Sequence, residues 1–586
     1  MRFLPLIRMA LFFGVLTNSA GLLAQVPPPP PPPPETVHRD NLWNNFRVEQ
    51  EIRRFREQPP ELSLTTPQEP LALDGFSNEK ILLVRQVIFE NLPRSISQRE
   101  LDSIAQRYTS QEQISLRDLY EMLGEIDSLF DARNVVGRAV LPIQDVEDGI
   151  VRVQIIEGKI GTVTVEHKRQ PFILENEKNG FTAVNPIWGK HFVRHQFHVY
   201  PSQVLNTKQL EEEVLRFNRK FRTQLIAELE PGDDTGRSDL KLTAVVPQPV
   251  SGGYYCDNTG RETSGRFRNG CFFQLQNRAG LDESFFWSYD KTDGSSFMTM
   301  FGDVPITRFG TSFEMGYDYG TPKTLYGPLA SLGMTGMSER YRPGIRQLIR
   351  NTKDRRTDLS FQVEDFKSET SFEDVVIFRE RLTGYTFGIS DTYRTEKSVR
   401  FLSLAWQTGL AGVAPHQQIG DFEYDNFHVL QGGLTKAWYP DKKWTFLVKS
   451  NGSLAMSPLT QSRIFQIGGM ATVRGVPEGL ITGDSGYFVN LEGRRLLMNW
   501  RNTNKFVVEA FSFFDHGGVF YRDYPDEYHP SDYLFSVGCG LNANLMRCVS
   551  ATIGYGHPIF TGESHRDEYR EKLNNGNVYF TVRAQF

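Results

Sequence analysis

Four cysteines in 586 residues are too few for a disulfide-stapled fold, and their spacing matches no metal-ligand pattern. Charge of neither sign dominates. The 65 Lys and Arg stand against 70 Asp and Glu, a net charge of −5, so the basic signature of a nucleic-acid partner is missing. No nucleophile motif, phosphate-binding loop or metal cluster occurs, so neither an enzyme nor a cofactor is expected. Past residue 25 no apolar run approaches the roughly 20 residues that a membrane helix needs, and any passage through a bilayer must therefore use strands. A mean hydropathy of −0.40 does not argue against that, because every second residue of a barrel strand faces water. Aromatics and glycine are abundant instead: 43 Phe, 22 Tyr and 50 Gly suit interfacial girdles and close strand packing.

The chain opens on a secretory signal pattern over residues 1–24, with Arg2 and Arg8 before an apolar core and Leu22-Leu23-Ala24 at a plausible cleavage end. Segment 25–35 holds eight consecutive prolines, an extended rod that serves as a spacer or a docking segment. Segment 36–58 places Leu42, Phe46, Ile52 and Arg56 in a helical pattern that stops at Pro59-Pro60. It is strongly charged, which fits a helix standing in a wet lumen. A linker over 59–79 follows. Export also permits disulfides. Cys256 and Cys271 flank a turn-like stretch and share outward parity, so a cross-strand bridge is expected there. Cys539 and Cys548 have opposite parity and would need an irregular register.

Residues 80–160 read as strand, helix, helix, strand, strand, and the pattern returns over 161–248, giving two tandem α+β modules. The stretch 170–202 fits no part of that pattern. From 249 to 586 amphipathic strands alternate with turns, about sixteen in all, and an even number returns both ends of a barrel to one side. The final ten residues show the pattern best: Val578, Phe580, Val582, Ala584 and Phe586 share one face, and Tyr579, Thr581, Arg583 and Gln585 the other. Alone this leaves an ordinary sandwich strand as the lesser alternative; the many similar strands before it favour an outer-membrane barrel. The longest interruption, about 458–486, is of the length that usually carries function.

That interruption contains Thr472-Val473-Arg474-Gly475 and Gly483-Asp484-Ser485-Gly486, followed by Asn490-Leu491-Glu492-Gly493-Arg494. The set resembles the sixth extracellular loop and next strand of two-partner secretion transporters, the haemolysin-activator and filamentous-haemagglutinin secretion proteins. Leu141-Pro142-Ile143-Gln144-Asp145 with Ile156-Glu157-Gly158 resembles the end of that family's first POTRA module. Pro231-Gly232 with Gly236-Arg237-Ser238-Asp239-Leu240 resembles the end of the second, and Asp257-Asn258-Thr259-Gly260 the first barrel hairpin. Val476 departs from the aromatic that the family commonly carries after Val-Arg-Gly.

The resemblance implies two periplasmic POTRA modules followed by a transmembrane antiparallel β-barrel. It also implies a loop-lock motif (Val473, Arg474, Gly475) that meets an acidic partner on the inner wall. Parity puts Glu509, Phe513 and Asp515 inward on one strand, and Asn490, Glu492 and Arg494 inward on the preceding one. Phe513-Phe514-Asp515 fits the family's Phe-x-Asp pattern, making Asp515 the expected partner; otherwise Arg474 is one more solvated lumen arginine. Glu509 lies about 20 Å from Asp515 along the strand, too far for paired-carboxylate chemistry. His516 is expected on the barrel wall.

The implied function is a pore that exports one large partner polypeptide, a β-helical exoprotein with an N-terminal secretion domain. Other implied partners are outer-membrane lipid, periplasmic chaperones and the barrel-assembly machinery, with no nucleic acid. In this reading the 36–58 helix plugs the lumen at rest. An insertase of the same superfamily and a diffusion porin are the alternatives.

Overall fold

In a computed structural model the described residues run from 83 to 585, apart from 112, 147, 170–181, 247, 328–329, 353, 374, 416–422, 500–505, 523–530, 546–547 and 562–575. The expected signal, proline segment, plug helix and linker, and the terminal Phe586, lie outside the described residues.

The first module starts its two helices, Gln98–Thr109 and Leu116–Ala132, at Ser97 and Ser115. Each serine closes a capping box with an acid three residues on, Glu100 or Asp118, which satisfies amide groups the helix itself leaves orphaned. Hydrogen bonds from the Ser97 backbone and hydroxyl, then from Arg133, hold the Glu100 carboxyl down to about 2. Leu101, Ile104, Leu119, Leu123, Ile126 and Phe130 bury against a three-stranded sheet. Its order is Gln86–Glu90, Ile150–Glu157, Gly137–Val140, so the first and last of these lie at its edges, the latter with Ala139 N donating to Asp127 Oδ1 of the second helix at 2.7 Å.

In the second module the sheet order is Thr182–Ala183, Lys159–Arg169, Arg237–Val246, Gln224–Pro231. Helix Thr207–Lys220 covers it with Leu210, Val214 and Phe217. The stretch that fits no sequence pattern contributes a further helix, Gly189–Gln196, whose Phe192 joins the same core edge-on to Phe217 and Phe221. With only eight residues and one apolar pair, it offers too little periodicity to be legible in sequence.

A single residue, Gly158, separates the last strand of the first module from the first strand of the second. The joint is backbone-bonded on both sides: Lys159 N donates to Gly236 O at 2.8 Å, Leu205 N to Gly158 O at 2.8 Å and Val136 N to Leu205 O at 3.0 Å. A Cβ at position 158 would stand 2.7 Å from Val136 O, so this joint takes only glycine.

Sixteen antiparallel strands then form a closed barrel, each paired with its chain neighbours, and the last, Asn577–Gln585, closes on the first, Val250–Asp257. The closing register runs from Thr581↔Asp257 to Gln585↔Gly253. Val578 and Val582 are exposed on the outer face, while Tyr579, Thr581 and Arg583 line the lumen. Both barrel ends lie on the module side. Short turns such as 396–397 and 439–443 close that side, and the long described connection 456–484 stands opposite. No described helix is long and apolar enough to cross a membrane.

The bridge expected between Cys256 and Cys271 is absent. Neither is in a disulfide, nor are Cys539 and Cys548. The register pairs Cys256 with Asn269 and Cys271 with Tyr254, so the two thiols are offset by two residues, about 7 Å along the strand, despite their shared face. Parity alone does not fix register. His516 is on the outer wall, where its Nε2 meets the Tyr487 hydroxyl at 2.8 Å and its ring stacks on Phe535.

Module and barrel are joined by buried charge. Arg222 Nη2 donates to both Asp303 carboxylate oxygens at 2.6 and 2.8 Å, and Arg222 N to Asp282 Oδ2 at 2.9 Å. Thr223 also donates to Asp282, through N at 2.8 Å and Oγ1 at 2.9 Å. Opposing carboxylates outweigh desolvation and keep the Arg222 guanidinium charged.

Candidate functional site

Loop 456–484 links strands Trp444–Ala455 and Ser485–Asn499 and does not stay above the barrel. It is not wholly irregular: Phe465–Ile467 pairs with Ile481–Gly483 in a small hairpin. Gly468 and Gly469 take positive φ (120° and 92°) where the chain leaves the first arm, and Thr472 Oγ1 accepts from Gly468 N at 2.9 Å. Ile467, Val473, Val476 and Ile481 pack on Phe488, Val519 and Leu534 of the inner wall. Val473 is wholly buried. Val476, which departs from the aromatic expected there, fills this aliphatic cluster with 3% of its surface exposed.

The hairpin carries Arg474 into the lumen against strands Ser485–Asn499 and Phe506–Phe520. Its Nε and Nη2 donate to Asp515 Oδ2 and Oδ1 at 2.7 and 2.8 Å, and its backbone N to Asp515 Oδ2 at 3.0 Å. Nη1 meets Glu492, which Arg494 Nε also reaches at 2.6 Å. The guanidinium carbon lies 3.7 Å from the centre of the Phe513 ring. Asp515 is fully buried, so this is a bidentate, charge-assisted pair in a dry site with a stacked cation, far from a solvated surface pair. Asn490 Nδ2 donates to the Thr472 carbonyl. Glu509 is not part of the cluster. It lies toward the other end of its strand, beside a lumen cavity of about 570 Å³ also lined by Arg268, Arg342, Lys449, Arg494 and Arg583.

Gly475 (φ +90°) presses on Gly556 of strand Val549–Thr561, so that a Cβ on Gly475 would sit 2.5 Å from the Gly556 carbonyl carbon. Asn577 Nδ2 donates to Gly475 O at 3.1 Å, and Met470 packs on Phe511, Phe513 and Tyr579. The loop tip therefore spans the last strands of the barrel.

A second anchor, which sequence reading misses, holds the loop's other end. Arg463 meets Glu364, donates from Nη1 to Gln407 Oε1 at 2.9 Å, and stands 5.1 Å over the Phe427 ring. Arg340 braces Glu364 at 3.1 Å, and Ser462 donates to Glu380. The combination of arginine, carboxylate and phenylalanine is the one found at Arg474. The legible signal was chemical: Glu364 and Glu380 are inward-parity acids of the long strands Arg355–Phe372 and Val375–Thr395. These partners sit on the seventh to tenth barrel strands, whereas the tip rests on the twelfth to sixteenth, so the loop crosses the lumen from wall to wall.

Comparison with known proteins fits this geometry. A family described as haemolysin secretion/activation protein ShlB/FhaC/HecB matches residues 236–543, and a ShlB-type POTRA domain matches 82–158. The heme/hemopexin transporter protein HuxB of Haemophilus influenzae (strain 86-028NP) is 22% identical over 89% of this chain and 92% of its own. The outer membrane transporter CdiB of Escherichia coli is 23% identical over 74% and 71% respectively. The solved structure of CdiB from Escherichia coli shares the fold, with a TM-score of 0.61, 18% identity, and coverage of 94% of this chain and 98% of that one.

Proposed function

The chain belongs to the haemolysin secretion/activation family ShlB/FhaC/HecB, and from that premise we propose that it is the outer-membrane pore that recognises and translocates one large partner exoprotein. It lies in the outer membrane of a Gram-negative cell with its POTRA modules in the periplasm. The observation that carries the mechanism is the loop bridging the lumen on Arg474 and Arg463. A polypeptide cannot pass while that loop is seated, so transport requires the loop to be released and then seated again, and a variant that cannot reseat it exports poorly.

The partner, a β-helical exoprotein, presents its N-terminal secretion domain unfolded to the modules. The edge strand Gln224–Pro231 of the second module supports capture by strand addition, which asks little of sequence. The chain then threads the lumen and folds outside, and that folding supplies direction. The charged segment 36–58, which lies outside the described residues, has the sequence pattern of a plug. Periplasmic chaperones and the assembly machinery read the alternating terminal strand during insertion. An insertase of the same superfamily and a porin are weaker readings, because the family matched is a secretion family.

The test is Arg474→Ala in cells co-expressing the partner: normal barrel assembly with export reduced at least tenfold is expected, and export at the normal rate overturns the lock. Deletion of 36–58 should raise single-channel conductance; an unchanged value removes the plug.

A further inference from the structure

Past Glu175 and Glu177, the stretch of the second module outside the POTRA pattern carries charge of one sign. Between residues 182 and 209 there is no Asp or Glu, against Lys190, Arg194, Lys208 and three histidines. Helix Gly189–Gln196 buries Gly189, Phe192, Val193 and Gln196, so its exposed face consists of Lys190, His191, Arg194 and His195. Just before it Ile187 is 82% and Trp188 55% exposed.

The place of this face in the fold is fixed. Trp188 N donates to Ala279 O at 2.9 Å in the first turn on the module side of the barrel, and a Cβ on Gly280 would stand 2.4 Å from Gly189 N. Beyond the helix's far end, Lys220 Nζ donates both to Gln196 Oε1 at 3.2 Å and to Arg308 O at 2.5 Å in the next such turn. That turn exposes Ile306, Arg308 and Phe309, with Arg308 5.0 Å over the Phe309 ring. The helix thus runs along the rim from one turn to the next. The acids of the first turn are engaged inward: Glu283 accepts from Ala279 N and Leu281 N, and Asp282 from Arg222 and Thr223.

We propose that this rim belt, Ile187, Trp188, Lys190, Arg194, Arg308 and Phe309, is a docking surface for the anionic phospholipid headgroups of the inner leaflet. Barrel turns stand at headgroup depth, where an indole or phenyl ring keeps its apolar body in the acyl boundary and its edge in water. Basic side chains beside it find anionic phosphate within a Debye length. The surface orients the second module against the membrane as well as against the barrel. It rests on the outer-membrane placement of the barrel and is independent of export.

The experiment uses the full chain in proteoliposomes of phosphatidylethanolamine with phosphatidylglycerol, carrying a benzophenone amino acid at position 187 or, as control, at the still more exposed Ile143 of the first module. Irradiation should give phospholipid adducts at 187 well above those at 143, falling about fivefold for each charge removed by Lys190→Gln and Arg194→Gln, and also falling when phosphatidylcholine replaces phosphatidylglycerol. Equal yields at the two positions, yields indifferent to charge, or adducts at 187 formed only with an added secretion domain would each overturn the proposal. Loss of export with adducts retained would count against the transport reading and leave this one standing.

Discussion

Arg474 satisfies two carboxylates, one ring and its own backbone N–H at a single point. Removing it strands Asp515 as a buried, uncompensated charge, a loss of about 3–5 kcal/mol, while Glu492 keeps Arg494. Arg474→Ala should therefore lower the temperature of heat-modifiable migration in gels. The triple variant Arg474→Met, Glu492→Gln, Asp515→Asn should recover that temperature without recovering export, which separates stability from locking. Arg474→Lys should export poorly, because an ammonium neither forks onto Asp515 nor stacks flat on Phe513. In the first module, Glu100 has a folded pKa depressed to about 2, so its contribution is present above the ordinary glutamate range and fades as pH falls through about 2. Thermal scans of wild type and Glu100→Gln should differ at pH 6 and converge near pH 2.

At the scale of elements the loop depends on glycine. Gly475→Ala meets both a left-handed φ and the backbone of Gly556, and a strain of about 1–3 kcal/mol is enough to lift the tip while leaving the strands intact. Single-channel recordings should show more frequent or larger openings. Arg463→Ala should do the same from the other wall, and the double variant with Arg474→Ala should exceed either alone. If Arg463→Ala leaves conductance unchanged, the second anchor does not hold the gate. Of these elements sequence exposes what has a period or a motif. Strand parity placed Asn490, Glu492, Phe513 and Asp515 in the lumen because a period of two leaves no choice of face. Registers are set by turn lengths and cross-strand packing, which is why the Cys256–Cys271 bridge looked possible and is absent. Arg463 lay in no motif, and its partners are roughly 50 to 100 residues away on strands that only barrel closure brings round.

For the whole molecule, the modules and the barrel are tied together at described joints. Gly158 joins the modules, and Arg222 ties the second to Asp282 and Asp303 in the mouth of the barrel. Arg222→Ala should broaden the distance distribution between spin labels on helix Thr207–Lys220 and on the barrel, whereas a distribution as narrow as wild type would assign the orientation to other contacts. Fold class was legible because about sixteen amphipathic strands follow two repeats of one α+β pattern. The cross-lumen span was not, since it depends on where a loop of 29 residues comes to rest. That span has a mechanical side. A hoop of sixteen strands with a strut from its seventh to tenth staves across to its last ones resists being squeezed oval. When the strut swings out, the bore opens and the hoop softens in the same movement, so the wall becomes pliant at the moment an unfolded chain with side chains of uneven girth has to be let through.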